Sequence, residues 1–342
     1  DASTVMKNNS FYTVHTYGIP FVRLTEDDFT MANVPAMYVG YAFQYDRWNR
    51  RYKDTYAKMT TSTGDGSRQV PYYSNWYLDP SNTRDSLSES KLSNRIFIQV
   101  QPWDRNGVVS TIDGGIGMDM HRYYQFDPDQ YLTGKSVVDK RSYYVYGGVN
   151  GKFRKYIDWG GDVKYNLPFG YRANDLDVSA HMRMSLFFND RPVTLEGRIS
   201  NKIGSPDYWS ETFISNHYMW QNSFDKENEF RYDIKFLVPS WNLELGFTQS
   251  VLSNHIYYGE NATPRQHGDE VTVIGAYLRK DLRIGRVINL NHRVSYQWTS
   301  NDGVVPVPEV SVYLSYFAEF DIVRNVLRVR VGLDGWWNTK YY

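Results

Sequence analysis

The chain has 342 residues, of which 17% are aromatic, and its 38 Lys and Arg residues balance 38 Asp and Glu residues. So many aromatic side chains argue against a disordered chain, and zero net charge argues against a nucleic-acid-binding protein, which would carry a basic surplus. The absence of cysteine excludes disulfides, thiolate zinc sites and cysteine nucleophiles.

Hydropathy argues against helical membrane spans. The mean hydropathy is −0.58, and no apolar run approaches the about 20 residues that a transmembrane helix needs. The chain opens on the polar string Asp1-Ala2-Ser3-Thr4, in which no signal peptide is visible. We therefore expect either an intracellular protein or a mature, processed or partial one.

The first distinct element is the stretch 46–92, which is polar, rich in Ser, Thr, Asp and Arg, and free of regular alternation. We interpret it as a long polar surface loop. No linker or repeat interrupts the rest of the chain. A β-barrel of this length forms one domain, so we expect a single domain over residues 1–342.

Apolar and polar residues alternate with a period of two from about residue 93 onward, which is typical of β-strands, whereas helical periodicity fails nearly everywhere. In chain order, the clearest stripes occupy 176–188, 193–202, 229–238, 241–251, 287–298, 310–322 and 326–337. In one of them, Ile288 and Leu290 fall on one face while Asn289 and Asn291 fall on the other.

Turn signals separate these stripes, for example at Asn189-Asp190-Arg191-Pro192 and Asn301-Asp302-Gly303. The stripes are about 10–14 residues long, whereas strands of soluble proteins usually have about 5–6. We therefore expect an all-β antiparallel fold of about 14–16 long strands.

Long alternating strands fit either a soluble β-sandwich, with the apolar stripe inside, or a transmembrane β-barrel, with the apolar stripe against lipid. Strand length favours the barrel, since about 9–11 tilted residues span a bilayer. Aromatic residues near strand ends, such as Tyr296, Trp298 and Trp337, also favour it, because Tyr and Trp prefer the membrane interface. Ordinary sandwich-core aromatics remain the alternative.

The polar stripes then predict the lumen. The predicted pore-lining residues are Asp177, Arg183, Glu196, Arg198, Arg231, Asp233, Glu244, Arg293, Glu319, Asp321, Arg328, Arg330 and Asp334. With Lys202, Glu229 and Lys235 added, the two signs are equally represented. A balanced lining predicts weak ion selectivity, whereas rings of one sign would impose a preference. The alternative is that these charges are cross-strand salt bridges in a plugged barrel.

Other chemistry is weakly signalled. The histidines show no pair at metal-ligand spacing, so we expect no metal site and no cofactor. Ser215 and His217 have the i, i+2 spacing of a nucleophile and its base on one strand face, but such pairs are common by chance. The glycine run 114–117 is not followed by a helix, so it marks curvature or close backbone approach rather than a phosphate site.

Several strings resemble the putative porin family of Bacteroidetes outer membranes. Residues 159–165 (WGGDVKY) and 170–175 (GYRAND) are similar to a W-x-x-D-x-x-Y … G-Y-[KR]-x-x-D passage of that family, and 335–342 (GWWNTKYY) resembles a later one. The resemblance implies an outer-membrane β-barrel regarded as a diffusion channel, with no catalytic residues to carry over. Family members are usually longer, so these strands are expected to form part of a larger barrel.

The sequence therefore predicts a transmembrane antiparallel β-barrel of the bacterial outer membrane. It would let small polar solutes diffuse through a charge-lined lumen, without enzyme activity. Expected partners are outer-membrane lipid and lipopolysaccharide, the solutes and other outer-membrane proteins. The open alternatives are a non-conducting accessory barrel of a larger outer-membrane complex, an enzyme using Ser215 and His217, and a soluble sandwich.

Overall fold

The computed structural model describes residues 2–21, 34–54, 58–63, 66–80, 82–101, 108–125, 137–324 and 326–341. The strands are β1 (Ala2–Phe21), β2 (Val34–Asp54), β3 (Lys58–Thr63), β4 (Gly66–Pro71), β5 (Thr83–Val100), β6 (Thr111–Gln125), β7 (Val137–Phe153), β8 (Ile157–Gly170), β9 (Leu176–Phe188), β10 (Arg191–Gly204), β11 (Thr212–Ile214), β12 (Met219–Gln221), β13 (Glu227–Val238), β14 (Leu243–Ser253), β15 (His255–Tyr258), β16 (Pro264–His267), β17 (Val271–Ile284), β18 (Ile288–Thr299), β19 (Val310–Val323) and β20 (Leu327–Asn338). A short helix α1 (Tyr208–Glu211) and a 3₁₀ turn (Pro239–Trp241) complete the described elements. No helix in these ranges is long and apolar enough to cross a membrane.

One antiparallel sheet of 14 strands dominates the fold. Its order is β1-β2-β5-β6-β7-β8-β9-β10-β13-β14-β17-β18-β19-β20, while β3-β4, β11-β12 and β15-β16 form separate hairpins within connections. Each strand of this sheet pairs with the sheet strands that precede and follow it in the chain, the small hairpins being skipped, and within the described ranges β1 and β20 are the two open edges. The prediction of an all-β antiparallel fold with about 14–16 long strands is confirmed.

The predicted loop over 46–92 is wrong at both ends. Strand β2 continues to Asp54 and strand β5 begins at Thr83, so the connection is shorter than expected. Alternation is invisible here because both faces of the strand ends are polar. On β2, for example, Arg47 and Arg51 occupy the face that carries Val39 and Tyr41 further along the strand.

The two faces of the sheet differ sharply in chemistry. Residues directly opposite in an antiparallel pair share a face, so the register assigns every strand residue to one side. One face exposes large apolar side chains, among them Leu186 (60%), Ile322 (60%) and Leu333 (84%). The other face is polar and lines a groove of about 630 Å³ from β8 to β17, which makes it the concave side. An exposed apolar face of this extent suits lipid rather than water.

Aromatic rings on the concave face lie over glycines of the neighbouring strand. A Cβ atom at Gly117 would lie 2.2 Å from the Tyr144 ring, and one at Gly246 would lie 2.0 Å from the Tyr277 ring. Each ring is directly opposite its glycine in the register. Gly117 therefore makes room for a ring. Gly115 shows the close backbone approach that the sequence suggested, since a Cβ there would lie 2.4 Å from the Ile96 carbonyl oxygen.

Connections differ between the two ends of the sheet. One end carries the short turns at 154–156, 189–190, 239–242 and 285–287. Asn189 and Asp190 form a two-residue turn with φ of 48° and 59°, the left-handed geometry that matches the twist of a hairpin. The other end carries longer connections, among them 205–226 and 254–270; we call it the long-loop end.

The face assignment predicts unequal costs for two adjacent substitutions. Leu290 lies on the convex face opposite Leu282 and Tyr316, whereas Asn291 lies on the concave face opposite Asp281. Leu290→Arg should therefore lower the free energy of unfolding in lipid vesicles by about 2–4 kcal/mol. Asn291→Arg should cost far less, because this face is hydrated and Asp281 is opposite. Equal costs in urea titrations would contradict the assignment.

Candidate functional site

The concave face carries all the residues predicted from the sequence to line a lumen. Register pairs connect them across neighbouring strands: Asp177 lies opposite Lys202, Glu196 opposite Arg183, Arg198 opposite Asp233, and Glu319 opposite Arg330. Glu244 lies opposite Arg279, which in turn lies opposite Arg293. Residues that line a lumen must lie on the same face of the sheet, and these residues do. Their role in conduction stays a prediction.

Charges of opposite sign follow one another along rows that cross the strands. The first row, taken from β7 to β13, is Lys152, Asp158, Arg183, Glu196 and Lys235. The second, taken from β8 to β13, is Lys164, Asp177, Lys202 and Glu229. Within the first row, Lys152 Nζ lies 3.4 Å from Asp158 Oδ2 and Arg183 Nε lies 3.1 Å from Glu196 Oε1. Each row is thus largely neutralised across the strands.

Further ion pairs continue this pattern toward β20. Arg231 binds Asp233 at 2.9 Å, and Arg328 binds both Asp321 at 2.9 Å and Glu319 at 3.2 Å. Exposed pairs of this kind contribute about 0–1 kcal/mol each because water screens them. Their arrangement therefore matters more for the electrostatic field over the face than for stability.

Sequence reasoning missed the charges of the first strands. Lys91 Nζ on β5 lies 3.0 Å from Asp119 Oδ2 on β6, and Arg95 donates to the Tyr12 hydroxyl at 3.1 Å. Lys91 belongs to the stretch read as a loop, so its strand face was not recognised. Treating 83–100 as a strand would have placed both Lys91 and Arg95 on the concave face.

Residues 205–226, which we call the cap, fold over the concave face at the long-loop end. Tyr123 of β6 is 1% exposed and stacks on Tyr208 of α1 at a centroid distance of 4.0 Å. Trp209 Nε1 donates to Glu89 of β5 at 3.2 Å. In the cap hairpin, Phe213 stacks on its register partner Trp220. Aromatic packing therefore holds the cap against β5 and β6.

A buried amide fastens the cap to the connection between β2 and β5. Asn216 is 1% exposed. Its side-chain oxygen accepts from Leu78 N at 3.0 Å and Asp79 N at 2.9 Å, and its amide nitrogen donates to Asp79 O at 2.9 Å and Thr83 Oγ1 at 3.0 Å. Its backbone N–H donates to Asp85 Oδ1 at 2.8 Å. The buried side-chain amide is thus hydrogen-bonded through both its oxygen and its nitrogen, as buried polar groups in folded proteins generally are.

His217 extends this network and its neighbours define its tautomer. Its Nε2 lies 2.6 Å from Thr83 Oγ1 and its Nδ1 lies 2.8 Å from Asn75 O. Thr83 already accepts from Asn216, so its hydroxyl proton is free to go to Nε2. The proton of the neutral ring therefore resides on Nδ1 and is donated to Asn75 O. The ring stacks on Tyr73 at a centroid distance of 3.6 Å.

Ser215 and His217 do not form the nucleophile and base considered from their spacing. The Ser215 hydroxyl donates to Tyr218 O at 3.2 Å, while both ring nitrogens of His217 have other partners. The two residues lie in a turn between β11 and β12 rather than on one strand face. Within the described ranges, no cluster of three metal-ligating side chains is present either.

A cavity of about 530 Å³ lies beside the cap and is lined largely by aromatic residues. Trp48 and Tyr52 of β2, Tyr73 of the following connection, and Trp209 and Trp220 of the cap contribute to its wall. The Tyr73 and Tyr52 hydroxyls lie 2.9 Å apart, and burial together with this hydrogen bond raises the pKa of Tyr73 above its ordinary value. No local sequence signal indicated this cavity, because its walls come from distant segments.

The Asn216 network predicts a specific effect on the cap. Asn216→Ala leaves the part-buried N–H groups of Leu78 and Asp79 without their side-chain acceptor, a loss of about 1–3 kcal/mol. These two amides should therefore exchange hydrogen roughly tenfold faster or more. Asn261→Ala, at an exposed position of the 254–270 connection, serves as the control. Unchanged exchange in Asn216→Ala would mean that the cap is fastened by its aromatic contacts alone.

Comparison with known proteins gives a family and a fold. A family model described as "Putative porin" matches residues 1–342, and no curated protein matches the chain. Among solved structures, the copper transporter OprC has a TM-score of 0.60 at 14% identity over 92% of this chain and 50% of its own. A mutant ferric enterobactin receptor, PfeA from Pseudomonas aeruginosa, has a TM-score of 0.63 at 11% identity, with 99% and 50% covered. The siderophore receptor PirA from Acinetobacter baumannii has a TM-score of 0.59 at 12% identity, with 96% and 49% covered.

The chain thus spans about half the length of these solved structures. At such low identity the likeness concerns the fold, which is that of outer-membrane β-barrels. Together with the family match and the exposed apolar convex face, it places the chain in the bacterial outer membrane. The soluble-sandwich alternative is therefore excluded.

Proposed function

Because the chain belongs to the putative porin family, we propose that it forms the wall of an outer-membrane pore through which small polar solutes diffuse down their gradient. The observation that carries this proposal is the concave face, where charges of both signs alternate across the strands beside a groove of about 630 Å³. Such a surface suits water and polar solutes on one side while lipid covers the other.

Hydration of the charged side chains supports this proposal. The side chains of Arg183 and Arg328 are 56% and 66% exposed on the concave face. Removing such charges from water would cost several kcal/mol per ion unless pairing were complete. A water-filled lumen meets this requirement without complete pairing, because an exposed group such as Arg293, which has no ion-pair partner among the described residues, remains hydrated.

The balance of signs bears on selectivity. A lining in which Asp177 faces Lys202 and Glu196 faces Arg183 presents no ring of one charge. Ion selectivity in pores of this kind depends on such rings. We therefore expect a weak preference for either sign and passage of neutral or modestly charged polar solutes.

The connections orient the barrel in the membrane. Bacterial outer-membrane barrels have short periplasmic turns and longer extracellular loops, which assigns the long-loop end and the cap to the outside. Tyr296 and Trp298 lie near this end on the convex face, where aromatic residues fit the lipid interface. In this orientation the cap narrows the extracellular entrance, and lipid with lipopolysaccharide covers the convex face.

Planar-bilayer recording tests conduction directly. The purified protein should give open-channel currents that rise with salt concentration, with a cation-to-anion permeability ratio near unity. Liposome swelling in small neutral solutes should report the accompanying flux. Absence of current at every voltage, together with stoichiometric co-purification of another outer-membrane protein, would instead support a non-conducting accessory barrel.

Charge substitution on the concave face should change the ion preference with a defined sign. The double change Glu196→Gln and Asp233→Asn removes two negative charges from the groove and should shift the permeability ratio toward anions by about twofold. Arg183→Gln with Arg198→Gln should shift it toward cations. Glu270→Gln, at an exposed position of the 254–270 connection, is the control. Identical reversal potentials in all variants would show that this face does not line the conducting path.

A further inference from the structure

We infer that the cavity beside the cap is a binding site for a neutral pyranose sugar of monosaccharide or disaccharide size. The inference rests on the proposed function only in that it places this site at the entrance of the diffusion path. The cavity itself is defined by the packing of the cap against β2 and β5, whether or not the channel is open.

The size of the cavity fits a small ligand. Its volume of about 530 Å³ falls within the about 300–1,000 Å³ typical of small-molecule sites. Its walls come from five parts of the chain: β2, the connection that follows it, β5, the cap, and the 254–270 connection through Tyr258 and Ala262. A site assembled from several segments is held in shape by each of them.

The aromatic walls favour a ring with polarised C–H bonds. Trp48 and Trp209 approach to 6.4 Å between ring centroids at an angle of 56°, so their faces are inclined rather than stacked. Both line the cavity together with Trp220 and Tyr52. The face of an aromatic ring is electronegative, and the C–H hydrogens on one side of a pyranose carry partial positive charge. Such a sugar can therefore stack on an indole face while its hydroxyl groups point elsewhere.

Polar groups in the same cavity can receive those hydroxyl groups. Arg50 and Asp85 both line the cavity, and the two opposite charges attract each other. Asp85 holds Asn216 N through its Oδ1 atom. A guanidinium offers donors and a carboxylate offers acceptors, whereas each sugar hydroxyl is both donor and acceptor. Arg50 and Asp85 are therefore complementary to neighbouring hydroxyl groups.

Charge selects a neutral ligand over an anionic one. Arg50 and Asp85 contribute one charge of each sign, and both ring nitrogens of His217 are already engaged by Thr83 and Asn75. An anion would need a surplus of cationic groups, which the cavity wall does not provide. The cavity lies on the concave side, away from the convex face that is proposed to contact lipid, so a free sugar rather than a lipid headgroup is the expected ligand.

Calorimetry on the purified, detergent-solubilised protein tests the inference, with maltose, cellobiose and lactose as probes. At least one of them should bind with a Kd of about 10 mM or tighter. Mannitol has comparable hydroxyl groups but no pyranose face, and it should not bind. Trp48→Ala should weaken binding about tenfold or more, whereas Trp48→Phe, which keeps an aromatic face, should retain most of it.

Two further variants separate a lost site from a lost fold. Arg50→Gln removes the guanidinium but keeps a polar side chain, and it should also weaken binding by about tenfold, while Trp298→Ala on the convex face should leave it unchanged. Heat-modifiable migration on gels confirms that each variant is folded. Binding of none of the three disaccharides, equal binding of mannitol, or full binding by folded Trp48→Ala and Arg50→Gln would overturn the inference.

The same measurements distinguish this inference from the proposed function. Sugar binding without bilayer current would keep the site and reject the open channel. Current without sugar binding would keep the channel and reject the site. Because calorimetry requires no conduction, neither result depends on the other.

Discussion

The period of two along each strand is the constraint on which the rest of the structure depends. In a bilayer every backbone N–H and C=O needs a partner within the protein, and long paired strands provide one. Pairing then forces successive side chains to opposite faces. Leu290 consequently lies on the apolar convex face while its neighbour Asn291 lies on the polar concave face. A shift of register by one residue would exchange the two faces along a whole strand. The free-energy cost of such a shift is large, and the register is therefore strongly specified.

The cap obeys a different requirement. It packs polar groups against the inner surface, and buried polar groups stabilise a structure only when their hydrogen bonds are satisfied. Asn216 meets this condition because its side chain bonds to backbone and hydroxyl groups around Asp79 and Thr83. Its neighbour His217 does so in one tautomer. These hydrogen bonds therefore fix the position of the cap. Because the cap forms part of the wall of the aromatic cavity, they also fix the shape of that cavity.

These two requirements explain what the sequence could reveal. The strands from Leu176 to Asn338 were predictable because a lipid-facing stripe and a wet stripe make alternation dense there. Strands β2 and β5 were misjudged because their ends are polar on both faces. The cap and its cavity had no local signal at all, since Asn216 meets partners more than 130 positions away in the chain. Contacts between segments so far apart in the chain form only when the chain folds, and no periodic pattern in the sequence indicates them.

The strand register determines how the equal numbers of acidic and basic residues are distributed over the concave face. Equal totals of 38 acidic and 38 basic residues could arise from two separate patches of opposite sign, which would produce a strong field across the lumen. Instead, Lys152, Asp158 and Arg183 succeed one another on adjacent strands, so each charge meets its opposite at short range. The field of such a row decays within about a Debye length of the wall. In the proposed pore, discrimination between solutes would then come from the width of the passage and from the cap, rather than from long-range attraction of one ion sign.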